Sequence, residues 1–250
     1  MLVKTVAKPH FQTRVLAAMA GLALLGGGCT SEKEIHTAKM SESPSEPILE
    51  QAAAKPPAPF DGAGWKSLFD GKTLAGWQVT DFAGHGTAAC KSGLIVIESG
   101  AELSGINWTN EVPRMNYEVA LDAMKLEGPD FFCGLTFPVG KSYCSLILGG
   151  WGGSTVGLSS IDDEDAAENE TSTGIRFDKD RWYRVRVRVT DAKIEAWLDE
   201  KKIVDLKTTG RKIGLRFGEI EDSVPLGLAT YETRAAMREI KIRVISPPSP

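Results

Sequence analysis

Beyond residue 60, apolar and polar residues alternate with period two along most of the chain. Tyr117, Val119, Leu121 and Ala123 interleave with Glu118, Asp122 and their neighbours, as a half-buried strand requires. From Trp182 to Thr190, Val185, Val187 and Val189 share one face, and Arg184, Arg186 and Arg188 share the other. The apolar runs Phe131–Phe137 and Tyr143–Leu148 are joined by a Pro/Gly turn and predict a hairpin. Lys193–Asp199 and Lys202–Lys207 predict a second hairpin, and Pro225–Tyr231 and Arg234–Ile245 close the domain. Glu219–Ser223 reads as a short turn of helix. Short strands, short polar turns and no long helical pattern predict an all-β fold, an antiparallel two-sheet β-sandwich.

The N-terminal part reads differently. Lys4, Lys8 and Arg14 precede an apolar stretch, Val15–Leu25, that is too short to span a bilayer as a helix. Gly26, Gly27 and Gly28 then lead into Cys29. This pattern predicts a lipoprotein-type signal peptide over residues 1–29, with Cys29 as the lipidated residue. The protein is therefore expected to be exported and anchored by lipid in a bacterial cell envelope, with the membrane as a partner. Residues 30–59 are rich in Pro, Ser, Glu, Lys and Ala. Such composition buries too little surface to offset chain entropy, and it predicts a disordered tether. Residues 60–250 are left as a single β-sandwich domain.

A net charge of −4 argues against a nucleic-acid partner. Cys90, Cys133 and Cys144 are an odd number, which argues for free thiols rather than a disulfide framework. With a turn at Pro138–Lys141, Leu146 and not Cys144 falls opposite Cys133.

Four segments carry a family resemblance: GWKSLFDGKTLAGW at residues 64–77, NYEVALDAMKL at 116–126, DRWYRVRVRVTDAKIEAWLDEKKIVDL at 180–206 and AAMREIKIRVI at 235–245. In this order they resemble the 3-keto-disaccharide hydrolase family. The resemblance implies a concanavalin A-like or laminin-G-like jelly roll that cleaves 3-keto-glycosides by β-elimination or hydrolysis. It also implies a 3-keto sugar as ligand. The ketone at C3 acidifies the C2 proton, and the resulting enolate expels the substituent at C1. Such a site needs a base, donors for the enolate oxygen and an acid for the leaving oxygen. The family's "Y-E-x-Q" segment aligns with Tyr143-Cys144-Ser145-Leu146, so Cys144 and Leu146 stand where a Glu and a Gln are expected. The alternative is a non-catalytic, lectin-like carbohydrate-binding or adhesion module.

The residues themselves offer candidates. After Tyr143–Leu148 comes a Gly-rich, acidic loop holding Asp162, Asp163, Glu164, Asp165, Glu168 and Glu170. Asp162, Asp165 and Glu170 are the candidate catalytic carboxylates. Asp162 and Asp165 are also candidate ligands for a divalent cation, and Asn169 completes the polar site. Trp151, flanked by glycines on both sides, suits stacking on a sugar face, and Tyr143 is a second candidate sugar contact. His85 in AGHGTA offers an imidazole. Arg186 could stabilise an enolate if its strand face is concave.

Overall fold

The computed structural model describes residues 46–245. The predicted signal peptide with Cys29, and residues 30–45 of the predicted tether, lie outside the described residues.

One helix, α1 (Glu46–Ala54), precedes the strands. The strands are β1 (Lys66–Ser67), β2 (Trp77–Val79), β3 (Ala88–Lys91), β4 (Leu94–Ile97) and β5 (Leu103–Trp108). Next come β6 (Tyr117–Glu127), β7 (Cys133–Val139), β8 (Ser142–Gly149), β9 (Thr155–Ser159) and β10 (Thr173–Gly174). The last five are β11 (Trp182–Val189), β12 (Lys193–Leu198), β13 (Lys201–Lys207), β14 (Gly227–Tyr231) and β15 (Arg234–Val244). A 3₁₀ turn at Glu219–Ser223 stands where the sequence predicts it.

Two antiparallel sheets result. Sheet 1 runs β13-β12-β11-β6-β15-β4-β3, with β1 added against β15; sheet 2 runs β10-β9-β8-β7-β14-β5-β2. The alternation sets their facing sides. Tyr117, Val119 and Leu121 of β6 and Val185, Val187 and Val189 of β11 meet Leu135 and Phe137 of β7 and Leu146 and Leu148 of β8 in one core. Each such side chain, fully buried, contributes about 1.5–3 kcal/mol. The buried Tyr117 hydroxyl donates to the Pro138 carbonyl at 2.7 Å and ties sheet 1 to sheet 2.

The β7–β8 hairpin turns at Gly140-Lys141, because Val139 pairs with Ser142. Cys133 therefore faces Leu148, not the predicted Leu146, and Cys144 faces Phe137. The turn centre lies further along the chain than a Pro138–Lys141 turn places it, and Gly140 supplies its positive φ of 58°. All three described cysteines are free, and burial pushes the Cys133 and Cys144 thiols up to about 12.

The predicted tether requires correction over residues 46–59. Leu49 and Ala52 of α1 are buried against Leu94, Val96, Met124, Leu126 and Ala236 on the outer face of sheet 1. Pro47 is tolerated in the first turn, and Pro56 and Pro57 end the helix. The orphan carbonyls that follow find donors on the sheet. Trp182 Nε1 donates to Ala52 at 3.1 Å, and Arg238 donates to Lys55 at 2.5 Å. Arg184 donates to Ala58 at 2.7 Å and to Pro59 at 3.0 Å. Composition alone misled here: two apolar side chains and a row of backbone acceptors suffice to dock a segment when the sheet supplies the donors.

Candidate functional site

The outer face of sheet 2 is floored by small residues. Side chains alternate across each strand, so Thr136 on β7, Ser145 on β8 and Ser159 on β9 point away from the core. Ser145 is register-paired with both of the others. Thr136 Oγ1 and Ser145 Oγ are 2.7 Å apart. Loops build walls above this floor and enclose an open cleft of about 500 Å³. The floor adds Leu103, Ile147 and Tyr231, and the walls add Glu102, Asp130, Phe131, Trp151, Arg216, Phe217 and Glu219.

Trp151 enters the cleft from a kinked turn between β8 and β9. Its own backbone is left-handed at φ 48°, ψ 54°, and its neighbours Gly149 and Gly152 also have positive φ. Asp130 holds this turn, since its Oδ2 accepts the Gly152 N–H at 2.8 Å while its Oδ1 accepts the Phe131 N–H at 2.8 Å. Trp151 stays 42% exposed, so a broad aromatic face is open to a ligand.

Arg216 is the only cationic side chain lining the cleft among the described residues. Its guanidinium carbon lies 5.7 Å from the centre of the Trp151 ring, and its Nε lies 3.5 Å from Asp165. Asp165 also accepts from the Ser159 hydroxyl at 3.3 Å. Phe217, next to Arg216, is 93% exposed at the rim. Burial, and then the nearby Glu102, Glu232 and Asp130 carboxylates, push the Tyr231 hydroxyl upward; Arg216 opposes them. Tyr231 therefore remains protonated at neutral pH and able to donate.

A second, shallow and wide-open depression of about 440 Å³ adjoins this cleft, lined by Asp81, Phe82, Ala83, Gly84, His85, Glu219 and Asp222. His85 stands here rather than in the main cleft. Its Nδ1 is 2.8 Å from the Gly86 carbonyl, which can only accept, so Nδ1 is the donor.

The other sequence candidates separate. Asp162 and Glu170 are held by Arg211, at 2.6 Å from Nε and 2.8 Å from Nη2, and neither lines the cleft. The Lys212 backbone N–H and then Arg211 hold the Asp162 carboxyl below its ordinary value; Arg211 does the same for Glu170. Asp162 and Glu170, predicted as catalytic carboxylates, thus share a loop-closing ion pair with Arg211 and stand apart from the cleft. Asp162 and Asp165 do not converge either, and among the described residues no three Asp, Glu, His or Cys side chains gather as a metal site. The donor set does not fit a divalent cation.

Asn169 is buried and spent on structure. Its amide donates to the Leu158, Glu164 and Asp165 carbonyls at 2.7, 3.0 and 2.8 Å, and its oxygen accepts from Thr171. Tyr143 is held by Arg114, whose Nη1 donates to its hydroxyl at 2.9 Å, outside the cleft. Arg186 lies on the outer face of sheet 1, 3.5 Å from Glu118 and stacked 4.0 Å from the Trp197 ring, on the far side of the sandwich from the cleft. Of the predicted residues, Trp151 lines the cleft and Asp165 touches it through Arg216 and Ser159.

The expected loss of a Glu and a Gln at positions 144 and 146 also changes meaning. Both side chains point into the core, at 0% exposure. The cleft-facing positions of this strand are Ser145 and Ile147. Apolar residues at 144 and 146 are what the sandwich requires and say nothing about chemistry in the cleft.

Sequence reasoning missed Arg216, Phe217 and Glu219. A signal was present: GLRFGE at 214–219 breaks the period-two pattern and puts a large aromatic between a cation and a glycine.

No curated protein matches the chain. Its fold matches the Crh5 transglycosylase in complex with NAG at 10% identity and TM-score 0.50, over 75% of this chain and 86% of that one. The carbohydrate binding module CBM66 from Bacillus subtilis aligns at 14% identity and TM-score 0.48, over 67% and 95%. A glycosyl hydrolase family protein from Mycobacterium fortuitum aligns at 11% and 0.43, over 72% and 97%. A family model covers residues 64–243, nearly the whole sandwich, and by that match the chain belongs to the 3-keto-alpha-glucoside-1,2-lyase-like domain family.

Proposed function

We propose that the cleft on the outer face of sheet 2 binds a 3-keto-glycoside and cleaves its glycosidic bond by β-elimination. The observation that carries this reading is the meeting of Trp151, Arg216 and the carboxylates Glu102, Asp130 and Glu219 around one open cleft. Trp151 offers an apolar platform for a pyranose face. Arg216 offers the positive charge that a developing enolate oxygen needs, the kind of interaction that contributes most in such reactions. Tyr231 offers a hydroxyl to the sugar. The carboxylates offer proton transfer. Family membership supports the substrate class.

Incubating the purified domain with p-nitrophenyl 3-keto-glucoside and with a 3-keto-disaccharide, and following release of the leaving group, tests this reading. Release that requires the 3-keto group supports it. Equal inertness toward both substrates contradicts it.

Export and anchoring belong to the same proposal. The signal-like run ending at Cys29 supports a lipid-anchored, envelope-facing protein. Mass spectrometry of the mature N-terminus tests it: a diacylated Cys29 is expected, and cleavage elsewhere contradicts it.

A further inference from the structure

We infer that Glu219 is the proton shuttle of this cleft and that the depression beside it receives the leaving group. The inference rests on the functional reading above. Glu219 is the one residue that lines both the cleft of about 500 Å³ and the depression of about 440 Å³. A glycoside that fills both has its scissile bond where they meet, beside this side chain. C2 and the glycosidic oxygen are both bonded to C1, and in a β-configured gluco-type glycoside the C2–H and C1–O bonds are gauche, so one carboxylate can serve the two in turn.

The other carboxylates of the cleft are placed differently. Asp130 has both oxygens occupied by backbone N–H groups. Glu102 lines the cleft alone. Glu219 accepts the Ala83 N–H at Oε2, at 3.1 Å, while Oε1 has no partner among the described residues. The next residue, Ile220, is buried with Phe82, Phe131 and Ala229. One oxygen and the adjacent backbone are thus fixed, and the other oxygen is free, as a preorganised proton carrier requires.

The step balances without a co-reactant. The Glu219 carboxylate takes the C2 proton, and the C–H electron pair moves onto the C3 carbonyl oxygen as an enolate. The pair then returns to form the C1–C2 double bond as the bond from C1 to the glycosidic oxygen breaks. Glu219, now protonated, gives the same proton to that oxygen and ends as a carboxylate. The products are an alcohol and a 1,2-unsaturated 3-keto sugar. Asp81, Asp222 and His85 line the receiving depression. They are suited to a neutral, hydroxyl-rich leaving group, such as a second sugar, and repel an anionic one.

The experiment compares wild type with Glu219→Gln and Glu219→Ala on a 3-keto-disaccharide and on p-nitrophenyl 3-keto-glucoside. Glutamine keeps an oxygen for the Ala83 N–H, so a purely structural role leaves kcat unchanged. The inference predicts a fall in kcat of about 10²-fold or more in Glu219→Gln with KM little altered. It also predicts partial recovery of Glu219→Ala by added formate. An active wild type accompanied by an equally active Glu219→Gln overturns the assignment alone. A wild type inert on both substrates overturns the functional reading and the assignment with it.

Discussion

On the outer face of sheet 1, Glu118 is fully buried between Arg188, at 2.5 Å, and Arg243, at 2.6 Å from Nε, with Arg186 beside them. Asp122 lies between Arg184 at 2.9 Å and Arg238 at 3.3 Å. The same arginines stack on Trp197, Phe60, Trp182 and Trp65 and hold the carbonyls of residues 52–63. On the outer face of sheet 2, Arg216 keeps a single long contact to Asp165, and its side chain is 58% exposed. One face saturates its charges with partners and covers itself with the chain. The other, floored by Ser145, Ser159, Leu103, Ile147 and Tyr231, leaves charge and aromatic surface open. The paired charges of sheet 1 build structure; Arg216, with one long and exposed ion pair, stays within reach of a ligand.

That contrast can be broken at its strongest point. Glu118→Gln leaves Arg186, Arg188 and Arg243 without their common anion, and removing one partner of a buried ion pair costs about 3–5 kcal/mol. Denaturant unfolding should show a loss near the lower end, about 3 kcal/mol, because the arginines still reach water. An unchanged midpoint would mean that the network is ornamental.

Leu49→Ala tests the covering segment. Leu49 of α1 is fully buried against sheet 1, and large-to-small changes of this kind cost about 2–5 kcal/mol in a closed core. A peripheral helix can relax, so about 2 kcal/mol is expected, with turnover unchanged at temperatures where the variant is folded. Loss of turnover without loss of stability would connect α1 to the cleft.

On the open face, Trp151→Ala should raise KM for the 3-keto-glycoside by roughly tenfold, about 1.4 kcal/mol, the upper scale of an aromatic stacking contact. Stability should hardly move, since the ring is 42% exposed. An unaltered KM removes Trp151 from the binding surface.

The smallest effect is on pH dependence. Burial alone would raise Glu195, but hydrogen bonds from Lys202 and Lys193 outweigh it and hold the carboxyl below its ordinary 4.5. A depressed carboxyl gives stability that is present above pH 4.5 and lost as pH falls through the lower folded-state value. Glu195→Gln should therefore lower stability modestly at neutral pH and flatten the acid limb, the two proteins converging as pH falls through the folded-state value. An acid limb identical to wild type would contradict this.

The sandwich was legible because alternation along Trp182–Thr190 and Tyr117–Ala123 encodes which side faces the core. The cleft was less legible, because it is made by loops whose approach depends on contacts far apart in sequence, such as Glu219 with Ala83 and Asp130 with Gly152. Trp151 was readable from its glycines. Asp162 and Glu170 misled because their partner, Arg211, lies far downstream, and carboxylates crowded in sequence are easily spent on one distant arginine. Helix α1 was hidden because its donors, Trp182 and Arg238, come from strands more than a hundred residues away.

The central claim, that open charge on sheet 2 does the chemistry and saturated charge on sheet 1 does not, is tested by the kcat of Arg216→Gln beside that of Arg186→Gln on one 3-keto-glucoside. The account predicts a fall of about 10²–10³-fold for Arg216→Gln, the scale of losing an oxyanion donor, and a kcat near wild type for Arg186→Gln. Equal effects, or the larger loss at Arg186, would contradict it.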